Sequence, residues 1–297
     1  MAQAFFGGVH PNDMKAATNE KAIEQLAPPA KVVIPMSMHF GAPCTPLVKA
    51  GDSVKVGQKI GEFHGLGAPI HSSVSGKVLA VEPRPYSMGG NMMSVVIEND
   101  GKNELSEEVK APANPDSLSV EEMVEAVKNA GVVGMGGATF PTHVKISGGI
   151  GKVDTVIING AECEPYLTPD TREFLECSDT IISGIAAVMK YCEIKNCVIG
   201  IEANKPDCIA KMTELVKEMT GVTVKTLPSR YPQGAEKNLV ENCTGREVPQ
   251  FGPTGAPGLP ADAGCVVMNV TSVSTLGKFL KTGMPLVSKR VTVDGDA

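Results

Sequence analysis

Four short segments of the sequence concentrate residues that could do chemistry. The first is Gly131-Val-Val-Gly-Met-Gly-Gly-Ala-Thr-Phe-Pro-Thr-His-Val-Lys145. Its glycines Gly134, Gly136 and Gly137 let backbone approach a ligand closely and leave N–H groups free to donate. The spacing is not the dinucleotide fingerprint. A third glycine would be needed at 139, where Thr139 stands, and the segment follows a helical pattern rather than a strand. No Gly-Lys-Ser/Thr follows, so a Walker phosphate loop is excluded too. An ordinary loop is the alternative reading of such a cluster.

The second segment, Asn159-Gly-Ala-Glu-Cys-Glu-Pro165, follows an apolar run that reads as a buried strand. Two carboxylates, an amide and a thiol at a strand end can hydrogen-bond a heterocycle, and open α/β sheets bind ligands there. The competing reading is a solvated loop. The third, Tyr231-Pro-Gln-Gly-Ala-Glu-Lys237, and the fourth, Asn269-Val-Thr-Ser272, also follow strand patterns. Amides, hydroxyls and the N–H groups of a helix start suit a phosphate. Singly, either could be a helix cap; four such loops on one sheet are hard to ascribe to chance.

The elements that must position these segments are legible as patterns. Lys31-Val-Val-Ile-Pro35 reads as a strand, and Leu47–Ile60 and Ala68–Glu82 alternate apolar and polar residues around turn glycines. Residues 31–100 are therefore a small all-β unit, preceded by an irregular extension over 1–30 and followed by a polar linker over 101–118. From 119 on, helix and strand alternate. Ser119-Val-Glu-Glu122 is a capping box opening an apolar helix face that Gly131 stops. Strands are expected at Val153–Ile158, Cys197–Ile201, Val222–Leu227 and Gly264–Asn269, with helices at Thr180–Lys190 and after an Asn204 cap. Such alternation over 119–285 implies a mainly parallel sheet. Residues 286–297 read as one strand entering a turn, the start of a third domain.

Length and composition bound the rest. At 297 residues with 42% hydrophobic and 20% charged, the chain is ordinary globular material of about two domains. A net charge of -6 gives no sequence-wide preference for nucleic acid. No apolar run is long enough to span a membrane, and the N-terminus does not read as a signal peptide, so a cytoplasmic location is expected. None of the eight cysteines forms a Cys-x-x-Cys pair, so no metal site is expected and most are buried thiols. Cys163, with no histidine near it in sequence, reads as a pocket-lining thiol rather than a nucleophile.

Residues 31–100 resemble the biotinyl/lipoyl barrel, on the pieces Gly51-Asp-Ser-Val-Lys-Val-Gly-Gln58 and Ser72-Ser-Val-Ser-Gly-Lys-Val78. The hairpin Gly61-Glu-Phe-His-Gly-Leu-Gly67 has no lysine, so a cofactor-carrier role is not expected. The ordered set Phe6-Gly-Gly-Val-His-Pro11, Gly134–Lys145, Asn159–Pro165, Tyr231–Lys237 and Asn269–Thr271 resembles the C subunit of the Rnf complex, the ion-pumping ferredoxin:NAD oxidoreductase. More distantly it is similar to the NADH-binding flavoprotein subunit of respiratory complex I. The resemblance covers essentially the whole chain. It implies a lipoyl-like small β barrel followed by a Rossmann-like, mainly parallel α/β flavin domain.

The same resemblance implies FMN against the glycine loop, with Gly134, Gly136, Gly137 and Lys145 at flavin-contacting positions. Asn159, Glu162, Cys163 and Glu164 would line the isoalloxazine, and Gly234, Asn269 and Thr271 the ribityl and phosphate. Phe140, Glu164 and Glu236 would meet NADH. Complex I relatives carry arginine, aspartate and tryptophan where Met135, Ala161 and Ile146 stand here. The implied activity is hydride exchange between NADH and FMN, with the flavin doing the chemistry and no catalytic acid–base set. Implied partners are other subunits of a membrane redox complex, with the protein peripheral on the inner face of the cell membrane. The ferredoxin-like cysteine repeats for [4Fe–4S] clusters, which the family carries in further domains, are not in these 297 residues. The alternative is a non-catalytic docking or scaffold protein of a related redox complex, with an empty flavin pocket.

Overall fold

The computed structural model describes residues 7–113 and 115–295. The first six residues of the expected extension, Asn114 of the linker, and Asp296 and Ala297 of the expected third domain lie outside the described residues. The chain forms two compact units that do not follow chain order. One comprises Met1–Ile23, Lys145–Gly277 and Arg290–Ala297; the other comprises Glu24–Val144 and Lys278–Lys289.

The second of these units is built on short antiparallel strands: β1 (Lys31–Pro35), β2 (Thr45–Pro46), β3 (Ser53–Val54), β4 (Lys59–Glu62), β5 (Ile70–His71), β6 (Gly76–Pro85) and β7 (Asn91–Asn99). They form a four-stranded sheet ordered β1-β7-β6-β3 and a three-stranded sheet ordered β2-β4-β5. Inward residues of both sheets make one core, including Met36, Ile60, Val78, Val95 and Ile97. The Gly51-Asp52 turn lies between β2 and β3, and Asp52 accepts from the Lys49 N–H at 2.9 Å. Gly76 is required where β6 meets β7. At φ +152° an added Cβ would stand 1.9 Å from the Glu98 carbonyl oxygen. Strand β7 was not singled out in the sequence, although its centre, Ser94–Ile97, is buried throughout.

Helix α1 (Val120–Asn129) starts on the expected capping box. The Ser119 hydroxyl accepts from Glu122 N–H at 3.1 Å, and the Glu122 carboxylate accepts from Ser119 N–H at 2.7 Å. Met123 and Val127 are its buried stripe. It ends at Gly131, φ +65°, where a Cβ would press on the Pro69 carbonyl at 2.5 Å.

The α/β unit carries β8 (Thr155–Gly160), β9 (Asn196–Glu202), β10 (Val222–Leu227) and β11 (Cys265–Asn269), all parallel and ordered β10-β9-β8-β11. The helices of this stretch are α2 (Thr142–Gly149), α3 (Pro169–Glu176), α4 (Ser178–Tyr191), α5 (Pro206–Leu215), α6 (Glu236–Thr244) and α7 (Val270–Thr282). A parallel sheet covered on both faces needs near-continuous apolar strands. Val156, Ile157, Ile158, Ile199 and Ile201 supply that and are fully buried. The chain runs β8, β9, β10 to one side and returns to place β11 on the other side of β8. The strand order therefore reverses between β8 and β11, which fixes where a ligand crevice belongs.

Two expectations are corrected. Asn204 does not cap α5. Lys205 occupies the cap position without a side-chain cap bond, and the Asn204 amide donates to Asp13 at 3.2 Å instead. The run from Ser288 forms no strand among the described residues. Its polar groups bond to loops and helices: Lys289 Nζ to the Met135 carbonyl, Arg290 to the Glu173 carboxylate, and the Thr292 hydroxyl to the Thr168 N–H.

Candidate functional site

At the carboxyl edge of the parallel sheet, Asn159 is the penultimate residue of β8. Its Oδ1 accepts from Ala161 N–H at 3.2 Å, which turns the chain out of the strand. Its Nδ2 donates to the Gly234 carbonyl at 2.9 Å, and the Gly234 N–H donates to Cys163 Sγ at 3.3 Å. Three expected site residues from two segments, 71 residues apart at the last contact, therefore meet. The Cys163 thiol is half-buried, and burial foremost holds its pKa above the usual thiol value. Burial therefore favours its neutral thiol over the thiolate. Beside Gly234, Gln233 is fully buried, and neither atom of its side-chain amide has a hydrogen-bond partner.

Glu162 points inward. Its carboxylate accepts from the Asp170 N–H at 2.7 Å and the Thr171 hydroxyl at 2.6 Å, so it caps the first turn of α3. Burial, then the nearby Asp170 charge, push its pKa up to about 7. Asp170 in turn accepts from Asn269 Nδ2 and Thr271 Oγ1, both at 2.7 Å. Enclosure of its carboxyl raises the pKa, and the two donors work against that rise. Asn269 Oδ1 also caps α7, accepting from Thr271 and Ser272 N–H at 3.0 and 3.3 Å. The side chains of Asn269 and Thr271 are thus engaged within the protein, and they close the switch-point edge between β8 and β11. Glu164 is exposed.

Lys145 Nζ donates to Glu236 Oε1 at 2.7 Å and to the Val267 carbonyl at 3.0 Å. This unites the end of the first segment with the start of α6 and the middle of β11. Sequence reasoning missed four residues of the same edge: Lys15, Asp170, Lys205 and Gln233. Lys205 Nζ lies 2.6 Å from the Ala161 carbonyl and 3.6 Å from Glu202, all deeply buried. Asp170 had a signal, because Thr168-Pro-Asp is a helix-start pattern directly after the Glu-Cys-Glu loop. Lys15 and Lys205 had none, since a buried lysine looks like a surface one in sequence.

The glycine loop belongs to the barrel unit. Its base is pinned by an isolated bridge between Val133 and Pro141, with Gly134 N–H donating to the Phe140 carbonyl at 2.9 Å. Phe40 N–H donates to the Thr139 carbonyl at 3.0 Å, and the Phe40 and Phe140 ring centroids are 5.7 Å apart. Between these ties Gly136 and Gly137 are exposed. Gly137 sits at φ +141°, with nothing within 4 Å of where a Cβ would be. Open backbone of this kind can receive an anion, and a buried amide with neither atom bonded, such as that of Gln233, calls for a partner.

Comparison with known proteins assigns both halves. Residues 3–102 match the RnfC barrel sandwich hybrid domain, and residues 127–278 match the Nuo51 FMN-binding domain. The chain belongs to the RnfC family. It is 45% identical over 295 residues to the C subunit of the Na(+)-translocating ferredoxin:NAD(+) oxidoreductase complex of Acetobacterium woodii, covering 99% of this chain and 65% of that protein. It is also 45% identical over 299 residues to the proton-translocating counterpart of Clostridium ljungdahlii, covering 100% of this chain and 64% of the relative. The chain thus spans just under two thirds of the length of these two curated relatives. Among solved structures, an NAD+-reducing [NiFe]-hydrogenase in the air-oxidized state aligns with TM-score 0.46 and 21% identity, over 55% of this chain and 30% of that one. For this RnfC family member, the switch-point edge and the glycine loop both fall inside the FMN-binding match. No helix among the described residues is long and apolar enough to cross a membrane.

Proposed function

We propose that this chain binds FMN and exchanges hydride between NAD(H) and that flavin, as the nucleotide-handling part of an ion-translocating ferredoxin:NAD oxidoreductase. The observation that carries the reading is the meeting of Asn159, Cys163 and Gly234 at the carboxyl edge of the sheet, within an FMN-binding-domain match. When bound, the flavin supplies the hydride chemistry. The protein's part is to bind, orient and set the local field. Asn159 and Gly234 fix the edge of the crevice through their mutual bond. The Cys163 thiol, kept neutral by burial, adds no negative charge there. Lys145 brings a positive charge, now balanced by Glu236, which favours a ligand that gains negative charge on reduction once that ion pair opens. Within the barrel unit, the exposed backbone at Gly136 and Gly137 suits an anionic group. The Glu164 and Glu236 carboxylates can accept from sugar hydroxyls of NADH, and the Phe140 ring offers a stacking face.

On this reading the chain works at the inner face of the cell membrane with other subunits, and [4Fe–4S] carriers take electrons onward. The test is reconstitution. Titrating FMN into the folded chain should quench flavin fluorescence saturably, and anaerobic NADH should then bleach the bound flavin. A folded chain that binds no FMN overturns the proposal and leaves the docking role.

A further inference from the structure

The N-terminal segment of the α/β unit has no place in the reading above, yet it touches two of the site loops. Val9 pairs with Tyr231 through two backbone bonds, 2.8 and 2.9 Å, and His10 Nδ1 lies 3.2 Å from the Ser229 carbonyl. Asp13 accepts from Tyr166 N–H at 2.8 Å through its carbonyl. The Thr18 and Thr168 hydroxyls are 2.8 Å apart, and Arg172 donates to the Asn19 carbonyl at 3.1 Å. Residues 9–19 thus run from the loop holding Gln233 and Gly234 to the loop holding Glu162, Cys163 and Glu164.

Lys15 is the centre of this strap. It is 5% exposed, and its ammonium donates to the carbonyls of Glu162 and Glu164, both at 3.0 Å, and of Leu167, with the Glu162 carboxylate at 4.0 Å. Three carbonyls converge on one point only if the loop backbone is bent toward it. The bend includes two non-glycine residues with left-handed backbone, Glu162 at φ +47° and Tyr166 at φ +70°. Such residues are held in place by their surroundings rather than by their own preference. The loop has formed a cation site, and the chain's own lysine fills it. Its three donors match the three carbonyls one for one.

We propose that residues 9–19 are a strap that sets the conformation of the two site loops, with Lys15 as the positioning residue whose ammonium holds the 162–167 loop in its ligand-receiving shape. This rests on the flavin reading for its consequence, but not for its structural content. Without the ammonium, three buried carbonyls converge with no donor among them, and the loop should relax outward. Misplacing a binding loop by a small distance can cost on the order of a hundredfold.

The test compares Lys15→Met with Lys15→Arg, Lys15→Ala and the exposed control Lys21→Met in the full chain. Two readouts are used: amide hydrogen exchange over residues 160–168 without flavin, and the FMN dissociation constant. Lys15→Met should exchange faster in that loop alone and bind FMN about tenfold or more weaker. Lys21→Met should match the native chain. Lys15→Arg should recover part of the loss, and ammonium chloride should partly rescue Lys15→Ala where sodium chloride does not. Native exchange rates together with native FMN affinity in Lys15→Met overturn the strap. If the native chain binds no FMN, the flavin reading falls and the exchange readout still decides the strap. If Lys15→Met does not fold, Val9→Pro at an exposed position removes the first clamp. A several-fold rise in the FMN dissociation constant is then expected, and no change overturns the proposal.

Discussion

At the scale of single residues, the buried charges around α3 give the sharpest expectation. Glu162 has a folded pKa of about 7 against an ordinary 4.5, through burial first and the Asp170 charge second, partly offset by Lys15 and Lys205. Between those values the folded chain binds more protons than the unfolded one, so this group's contribution is complete below about pH 4.5 and lost as pH rises through about 7. Glu162→Gln cannot titrate. Its baseline stability should be lower, because an amide has a single accepting oxygen, whereas the carboxylate accepts from Asp170 N–H at one oxygen and from the Thr171 hydroxyl at the other. Its pH profile should be flatter. Urea unfolding at about pH 5 and about pH 8 should show the native chain losing about 1–3 kcal/mol relative to the variant on going up. Parallel profiles would show that Glu162 does not titrate in this window. Cys163 carries a second expectation. A neutral lining thiol contributes shape and a weak bond from Gly234, so Cys163→Ala should keep NADH bleaching of bound FMN within a few-fold. Complete loss of bleaching with retained FMN would mark the thiol as a reacting group.

At the scale of elements, most strands and helices were legible because their cause is local. Lys31–Pro35 and Val222–Leu227 are short β-branched runs bounded by breakers, and they are strands over the expected residues. The capping box at Ser119 is likewise local, and it forms as read. What was not legible depends on partners far along the chain. Helix α4 carries Gly184 in its interior, a position that costs helix stability for no visible local reason. The reason lies in α7: a Cβ on Gly184 would stand 2.1 Å from the Val273 carbonyl, and one on Gly277 would stand 2.0 Å from the Thr180 carbonyl. The two helices touch backbone to backbone through reciprocal glycines, and the Thr180 and Ser274 hydroxyls are 2.6 Å apart in the same contact. Gly184→Ala should improve local helix propensity yet destabilise the protein by about 1–3 kcal/mol, because α4 and α7 must separate. Thermal unfolding decides between the two effects. A stabilised variant would show that the contact yields easily. Because α7 starts directly after Asn269, the separation should also weaken FMN binding.

At the scale of the whole molecule, the sequence indicated an all-β half, an α/β half and four polar loops on one sheet; three of those loops follow strands of the parallel sheet, while the glycine loop belongs to the barrel unit. It did not indicate which loop side chains would be engaged internally. Asn269 and Thr271 carry phosphate-suited groups, but Asp170 takes both, and its distance along the chain hid that pairing. This bears on the last prediction. A ligand that binds only the folded chain raises stability by mass action, about 2.7 kcal/mol at a hundredfold excess over its dissociation constant. For a protein of this size that is a rise in unfolding temperature on the order of 4 °C. FMN should produce a concentration-dependent rise of this kind, and NADH alone a smaller one. Riboflavin, which lacks the phosphate, separates the two possible anchors. If backbone N–H groups and the helix start at Asn269 receive the phosphate, riboflavin should give clearly less than FMN at matched concentration. If Asp170 keeps Asn269 and Thr271 occupied in the bound state, the two flavins should give equal shifts. Asn269 and Thr271 would then be structural, with the isoalloxazine held by Asn159, Cys163 and Gly234 providing the affinity.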